Sequence, residues 1–133
     1  MSTVIQPEGW VPPRGYANGI VATGKLLFIG GQIGWNPRSA TPEFPSTFEG
    51  QFEQALANVC EVLRAAGGRP EKLTRLTVYV TDKKEYSGSL KAIGAAWKKH
   101  LGRHYPAMAL MQVVALVEDL AKVEIEATAV LES

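Results

Sequence analysis

Hydrophobic side chains recur at three- and four-residue spacing in two segments of the chain, which is the pattern of a helix with one buried face. The first segment begins at a capping box formed by Ser46 and Glu49 and ends at Gly67 and Gly68, where glycine tolerates the left-handed cap conformation. Its apolar stripe is Phe48, Phe52, Leu56, Val59 and Leu63. The second segment is closed by Gly102 and carries the stripe Tyr86, Leu90, Ile93, Trp97 and Leu101. We predict an amphipathic helix in each segment.

Short apolar or alternating stretches between turn residues predict β-strands in the rest of the chain. Two short strands, "NGIVATG" and "LLFIGGQIGW", meet at a turn at Gly24, and three more follow in "LTRLTVYVTD", "AMALMQVVAL" and "AKVEIEATAVL". The predicted order is β-β-α-β-α-β-β. Because each helix has one apolar stripe, both are expected on one face of a single mixed β-sheet, in one α+β domain spanning residues 1–133.

The last strand places two glutamates on the same face. Glu124, Glu126 and Thr128 alternate with Val123, Ile125 and Ala127, so the acidic side chains point away from the apolar ones. Thr77 and Tyr79 of an earlier strand are expected on the same polar face. Its mixed polarity is typical of a wet surface or a subunit interface, which predicts an oligomer.

Composition and charge exclude several classes of function. The chain has 133 residues, of which 46% are apolar and 20% charged, and its formal net charge is +1. This balance gives no reason to expect nucleic acid or an anionic membrane as a partner. No segment approaches the roughly 20 apolar residues of a membrane span, and the amino terminus lacks a signal-peptide pattern. We therefore expect a cytoplasmic protein.

The residues that commonly bind metals are few. Cys60 is the only cysteine, and its place in the first helix predicts a packed small hydrophobe. His100 and His104 lie four residues apart, but Gly102 between them indicates that the helix is ending, so a metal site is disfavoured.

Several stretches, "RGYANGIV", "LLFIGGQIGWNP", "LTVYVTD", "HYPAMALMQV" and "KVEIEATAV", follow the order and approximate spacing of the RidA/YjgF family. The chain resembles that family from about Tyr16 to its carboxyl end. The resemblance implies a chorismate-mutase-like fold and a homotrimer with a cleft between each pair of neighbouring subunits. It also implies hydrolysis of reactive enamines and imines to ammonia and a 2-keto acid, without a metal or organic cofactor.

The resemblance assigns roles to particular residues. Tyr16 matches the cleft tyrosine of the family, Gly31 and Gln32 match its Gly-Gln pair, and Glu124 matches the carboxylate associated with the reacting water. Other roles stay open, because Tyr16 could be a packed aromatic residue and Glu124 could only pair across an interface. Gln32 could fix subunit contacts. The N–H groups of Gly30 and Gly31 could hold an oxyanion, or the glycines could serve close packing.

Two residues depart from the family pattern. Met108 stands where typical deaminating members have an arginine that binds the substrate carboxylate, and Gly30 stands where they have a serine. Losing a charged hydrogen bond of this kind typically costs about 1.5–3 kcal/mol. Arg14 is a candidate replacement for that arginine. Trp35 and Met108 would make the pocket more apolar, which favours an aromatic or long-chain imine, with 2-aminomuconate as one hypothesis.

Three functions therefore compete. The first is an enamine or imine deaminase with altered substrate choice, supported by Tyr16 and Glu124. The alternative is a non-catalytic trimer that binds a small metabolite or a protein partner in the same clefts, which Met108 and Gly30 favour. The third is an endoribonuclease, a function that has been attached to parts of the family; near-neutral charge and the lack of a basic stripe disfavour it.

Overall fold

A four-stranded mixed sheet with helices on one face forms the body of the protein, as shown by a computed structural model that describes residues 2–132. The strand order is β3-β6-β4-β5, with β6 antiparallel to both of its neighbours and β4 parallel to β5. A separate two-stranded sheet joins β1 and β2. The elements are β1 (Ser2–Ile5), β2 (Gly19–Ala22), β3 (Lys25–Ile33), α1 (Phe48–Ala65), β4 (Leu73–Val80), α2 (Lys83–Ser87), α3 (Leu90–Leu101), β5 (Ala107–Gln112) and β6 (Val123–Leu131), with a 3-10 turn at Pro70–Lys72.

The core lies between the sheet and the helices α1 and α3. The stripe of α1 is buried as predicted, with Phe52, Leu56 and Leu63 fully enclosed. Full burial of such side chains stabilises the fold by about 1.5–3 kcal/mol each. Cys60 is also buried, and burial raises the pKa of its thiol, so it is a packed and unreactive side chain, as predicted.

The polar face of the sheet also agrees with the prediction. Thr77 pairs with Glu126 and Tyr79 with Glu124, while the alternate β4 residues Leu76, Val78 and Val80 are fully buried. An apolar residue that the pattern did not assign, Phe28, pairs with Thr128 on this face and is 72% exposed. None of the helices within residues 2–132 is long and apolar enough to cross a membrane.

The helix boundaries differ from the prediction in two places. Thr47, not Ser46, caps α1, because the Thr47 hydroxyl accepts the Gly50 amide N–H at 3.1 Å. The predicted capping box of Ser46 and Glu49 is therefore wrong. The Glu49 carboxylate instead accepts a hydrogen bond from the Ser89 hydroxyl. The second predicted helix is divided at Gly88 into α2 and α3.

The strands differ from the prediction as well. The chain turns at Gly24, whose φ is +145°, as predicted, but the expected pairing of β2 with β3 is wrong: β2 pairs with β1 in a separate sheet. The strand β5 ends at Gln112, earlier than "AMALMQVVAL" predicted. Its partner β4 ends at Val80, and Val114 beyond that end is fully exposed.

Candidate functional site

A bulge in β3 shapes the part of the sheet that carries the glutamates. Ile29 pairs with Ala127 and Gln32 with Ile125, so β3 contains one more residue than β6 over this interval, at Gly30 and Gly31. The Gln32 side-chain amide donates to the Gly30 carbonyl at 3.3 Å. Bulges of this kind re-aim side chains near functional sites. Here the bulge leaves the backbone of Gly31 facing β6.

The Glu124 carboxylate lies directly against Gly31. A Cβ atom on Gly31 would overlap Oε2 of Glu124 and would lie only 2.7 Å from its Cδ. A Cβ atom on the neighbouring Gly30 would meet nothing within 4 Å. Only glycine at position 31 therefore leaves room for the observed position of the carboxylate.

The two glutamates of β6 have different surroundings. The Tyr79 hydroxyl donates to Glu126 Oε1 at 2.7 Å, and this hydrogen bond is the main cause that raises the pKa of Tyr79 above its usual value. Tyr79 is thus neutral and a hydrogen-bond donor near pH 7. Within residues 2–132, no side chain donates a hydrogen bond to Glu124, which is half-buried. The oxygen atoms of Glu124 can therefore accept from a water or a ligand.

A second group of predicted residues lies at the other edge of the sheet. Tyr16 is 43% exposed and directly precedes Ala17, which bridges to Ala107 at the start of β5 and donates its N–H to the Pro106 carbonyl at 3.0 Å. Met108 pairs with Leu76 and points to the helix side of the sheet, where it packs against the edge of the core.

These two groups do not meet within one chain. Three strand spacings separate the Tyr16 segment from β6, and four residues along β4 separate the row of Ala107 from the row of Glu124. At about 4.8 Å per strand and 3.3 Å per residue, the backbones of Tyr16 and Glu124 are roughly 20 Å apart. That distance exceeds the combined reach of the two side chains.

Arg14 and Trp35 fall into different groups. Arg14 is exposed in the segment before Tyr16. Trp35 follows β3, is half-buried with its ring centroid 6.0 Å from that of Phe44, and its carbonyl accepts the Asn58 side-chain amide at 3.0 Å. Because β3 and β5 are opposite edges of the sheet, the expected joint pocket of Trp35 and Met108 does not form within one chain.

Sequence reasoning missed a cavity beside Met108. It is lined by Gly15, Phe52, Tyr86, Leu90, Ile93, Gly94, Trp97, Tyr105 and Met108. Four of these nine residues, Tyr86, Leu90, Ile93 and Trp97, belong to the stripe of the second predicted helix, which the pattern assigned wholly to the core. The available signal was Gly94, which interrupts the helix with a residue that has no side chain.

His100 and His104 contact different groups. His100 Nε2 is 3.2 Å from Glu53 Oε2, and His104 Nε2 is 2.6 Å from the Leu73 carbonyl. In the part of the chain that the structure describes, no group of three or more His, Cys, Asp or Glu side chains is arranged to hold a metal ion.

Known proteins resemble this chain over most of its length. The model of a protein family described as "Endoribonuclease L-PSP" matches residues 10–131. A 2-iminobutanoate/2-iminopropanoate deaminase from Capra hircus is 34% identical over 110 residues, which cover 83% of this chain and 76% of the goat protein.

Solved structures agree with the sequence matches. A protein of unknown function of the Rid family, YyfB from Yersinia pestis, has a TM-score of 0.85 and 34% identity, and the match covers 98% of each chain. TdcF from E. coli, solved with bound serine, has a TM-score of 0.72 and 30% identity over 98% of this chain and 99% of that one. The chain therefore shares its fold with both.

Proposed function

This chain belongs to the RidA/YjgF family, and from that membership we propose that it is a deaminase that hydrolyses reactive imines or enamines to ammonia and a carbonyl compound. The named activity of the goat relative supports this reaction class. The observation that carries the proposal is the contact between the Glu124 carboxylate and Gly31, which leaves an acid–base group accessible on the sheet face.

The complete site is proposed to form between subunits of a homotrimer. One subunit supplies Glu124 and Gly31, and its neighbour supplies Tyr16 and Met108. The separation of roughly 20 Å between these groups within one chain supports a shared cleft, because the two side chains cannot meet on one subunit. The exposed Phe28 beside the acidic residues supports burial of this face in an oligomer.

The reaction needs one water molecule and no cofactor. Glu124 accepts a proton from the water as the water oxygen bonds to the imine carbon, and it passes this proton to the imine nitrogen, which gives a neutral carbinolamine. Glu124 then accepts the hydroxyl proton of the carbinolamine and passes it to the amino nitrogen as the C–N bond breaks, so ammonia leaves and a C=O bond remains. Glu124 acts first as a base and then as an acid, and the Tyr16 hydroxyl hydrogen-bonds the substrate or the water.

The residues of the β3 bulge are proposed to lie next to the reacting carbon of the substrate. Gly30, Gly31 and Gln32 would present backbone groups to the substrate from the same subunit as Glu124, with Trp35 at the end of β3. Gly30 leaves open space where a serine hydroxyl would fit, so a hydroxyl contact is missing. The Gln32 side-chain amide, which donates a hydrogen bond to the Gly30 carbonyl, would stabilise the conformation of the bulge.

Substrate choice is proposed to differ from that of the goat relative. Met108 offers neither charge nor donor to a substrate carboxylate, and Arg14, two residues before Tyr16, is the candidate that would supply the charge. 2-Aminomuconate is a further substrate hypothesis without support from the named relatives, and a protein that is inactive with 2-aminomuconate would refute it.

A second candidate function, a non-catalytic trimer that binds a small metabolite in the same clefts, is favoured by Met108 and Gly30. The deciding experiment generates imines from aliphatic, aromatic and acidic amino acids with an amino-acid oxidase and follows ammonia release against a blank without the protein. We expect wild type and Glu126→Gln to accelerate release and Glu124→Gln to lose at least 100-fold, because Glu126 is held by the Tyr79 hydroxyl whereas no side chain within residues 2–132 occupies Glu124.

The two glutamate variants separate the hypotheses. Glu126→Gln is the matched control, because it removes a carboxylate from the same face of the same strand. Equal activity of wild type and Glu124→Gln would refute the catalytic role of Glu124. A folded wild-type trimer without activity on any imine would support the binding function.

A further inference from the structure

We propose that the cavity between α3 and β5 binds the side chain of the substrate, and that this side chain is apolar and about the size of an aromatic ring. The inference rests on the proposed function, because it concerns the substrate class of the same cleft. It also predicts a binding preference that can be measured without catalysis.

The volume of the cavity fits such a group. It measures about 150 Å³ and is open to solvent on one side; an enclosed apolar cavity of about this volume in another protein has room for benzene. It opens to the surface at Leu90 and Tyr105, which are 57% and 42% exposed, so a ligand has a way in. Gly15, beside Tyr16, lines one side, so the cavity adjoins the proposed catalytic group.

The lining selects against charge. Among the described residues around the cavity, none is charged, and the aromatic and aliphatic walls include Trp97, Ile93 and Met108. Tyr86 adds a hydroxyl whose pKa is raised by burial, so this group is neutral near pH 7. An apolar ring placed here would lose water on the side that meets these walls, whereas a carboxylate would lack a charged partner.

The aromatic wall is held in place before any ligand binds. Trp97 and Tyr105 are stacked, with ring centroids 5.8 Å apart and an interplanar angle of 9°. The Trp97 indole N–H donates a hydrogen bond to the His104 carbonyl at 3.0 Å, and the His104 ring in turn forms a hydrogen bond with the Leu73 carbonyl. A preorganised wall of this kind reduces the ordering cost of binding a flat ring.

Gly94 provides a direct test of the cavity. It lies in the middle of α3, and a Cβ atom built on it would meet nothing within 4 Å. Gly94→Leu would therefore extend into open space without a clash at its first atom, and replacing a glycine within a helix also favours the helix. Lys98→Leu, one turn later on an exposed position of α3, is the matched control.

The experiment measures binding and turnover together. Binding of phenylpyruvate and pyruvate, which share one 2-keto acid group, is followed by isothermal titration calorimetry. Turnover is measured with imines generated from phenylalanine and from alanine. We expect wild type and Lys98→Leu to favour the phenyl compound by roughly 10- to 100-fold. Gly94→Leu should lose that preference, because the added side chain would take up space that the phenyl ring needs and the methyl group of pyruvate does not.

The outcomes separate this inference from the proposed function. Selective binding of phenylpyruvate that Gly94→Leu abolishes, without turnover of any imine, would support the cavity and refute the deaminase. Turnover without a preference for the ring, or a preference that Gly94→Leu retains, would refute the cavity and leave the deaminase intact. A Gly94→Leu variant that only weakens subunit association would show that a neighbouring subunit fills the cavity, and would also overturn the inference.

Discussion

Substitution of Gly31 by alanine is expected to disable the site while leaving the fold intact. The added Cβ would lie 2.7 Å from Cδ of Glu124, whereas ordinary contacts of such an atom are 3.4–4 Å. Cδ must therefore move by at least 0.7 Å (3.4 − 2.7), and Oε2, which overlaps the new methyl group, must move further. A misplacement of about 1 Å in a reacting group can cost about 100-fold in rate.

The stability of Gly31→Ala should change little. The clashing atoms belong to the end of a flexible side chain that can rotate away, and an alanine in place of a strand glycine recovers roughly 0.5–1 kcal/mol of backbone entropy. We expect the free energy of unfolding, from urea denaturation, to stay within about 1 kcal/mol of wild type. The kcat/KM for imine hydrolysis should fall by about 100-fold.

Gly30→Ala is the matched control for this prediction. Its Cβ would meet nothing within 4 Å, so neither Glu124 nor the fold is disturbed within the chain. We expect kcat/KM of Gly30→Ala to lie within a few-fold of wild type. Wild-type activity in Gly31→Ala would refute the argument that the position of the Glu124 carboxylate over the glycine matters for the reaction.

Three further predictions test other parts of the account. Asn58→Leu should lower the free energy of unfolding by about 2–4 kcal/mol in urea denaturation, because the Asn58 amide donates to two backbone carbonyls at the end of β3; an unchanged midpoint would contradict this. Lys99, through its hydrogen bond, and His100 lower the pKa of Glu53 below 4.5. The ionised carboxylate therefore contributes stability above about pH 4.5 that is lost on acidification. Glu53→Gln should be less stable than wild type at pH 7 by at most about 1 kcal/mol, and this deficit should shrink as the pH falls below 4.5; a deficit that does not shrink on acidification would refute the assignment. Met108→Arg should raise kcat/KM for the alanine-derived imine by roughly 10-fold or more, because a guanidinium in the cavity wall can bind its carboxylate; no gain in a folded variant would contradict this.

The parts of the fold that one periodic pattern determines could be predicted. The α1 stripe is buried because its spacing places five apolar side chains on one face, and the alternation in β6 separates Glu124 from Ile125 for the same reason. The first residue of α1 could not be predicted, since Ser46 and Thr47 offer the same hydroxyl chemistry. Only the observed backbone distinguishes the residue that accepts the Gly50 N–H.

Features that depend on strand order could not be predicted. The strand β1 has four exposed residues and no apolar alternation, so its pairing with β2 leaves no trace in the pattern. Likewise, the candidate site residues are scattered along the chain. Only the order β3-β6-β4-β5 shows that Gly31 and Glu124 lie together while Met108 lies at the opposite edge.

The central claim, a cleft shared between two chains, is tested most directly by mixing two inactive variants. Tyr16→Ala retains an intact Glu124, and Glu124→Gln retains an intact Tyr16. In randomly mixed trimers, half of the clefts receive an intact Tyr16, and half of those meet an intact Glu124 on the neighbouring chain. We therefore expect the equimolar mixture, unfolded and refolded together, to recover about one quarter of the wild-type deaminase activity. Separately refolded variants that are combined only in the assay should stay inactive. A co-refolded mixture as inactive as its components would contradict the shared cleft.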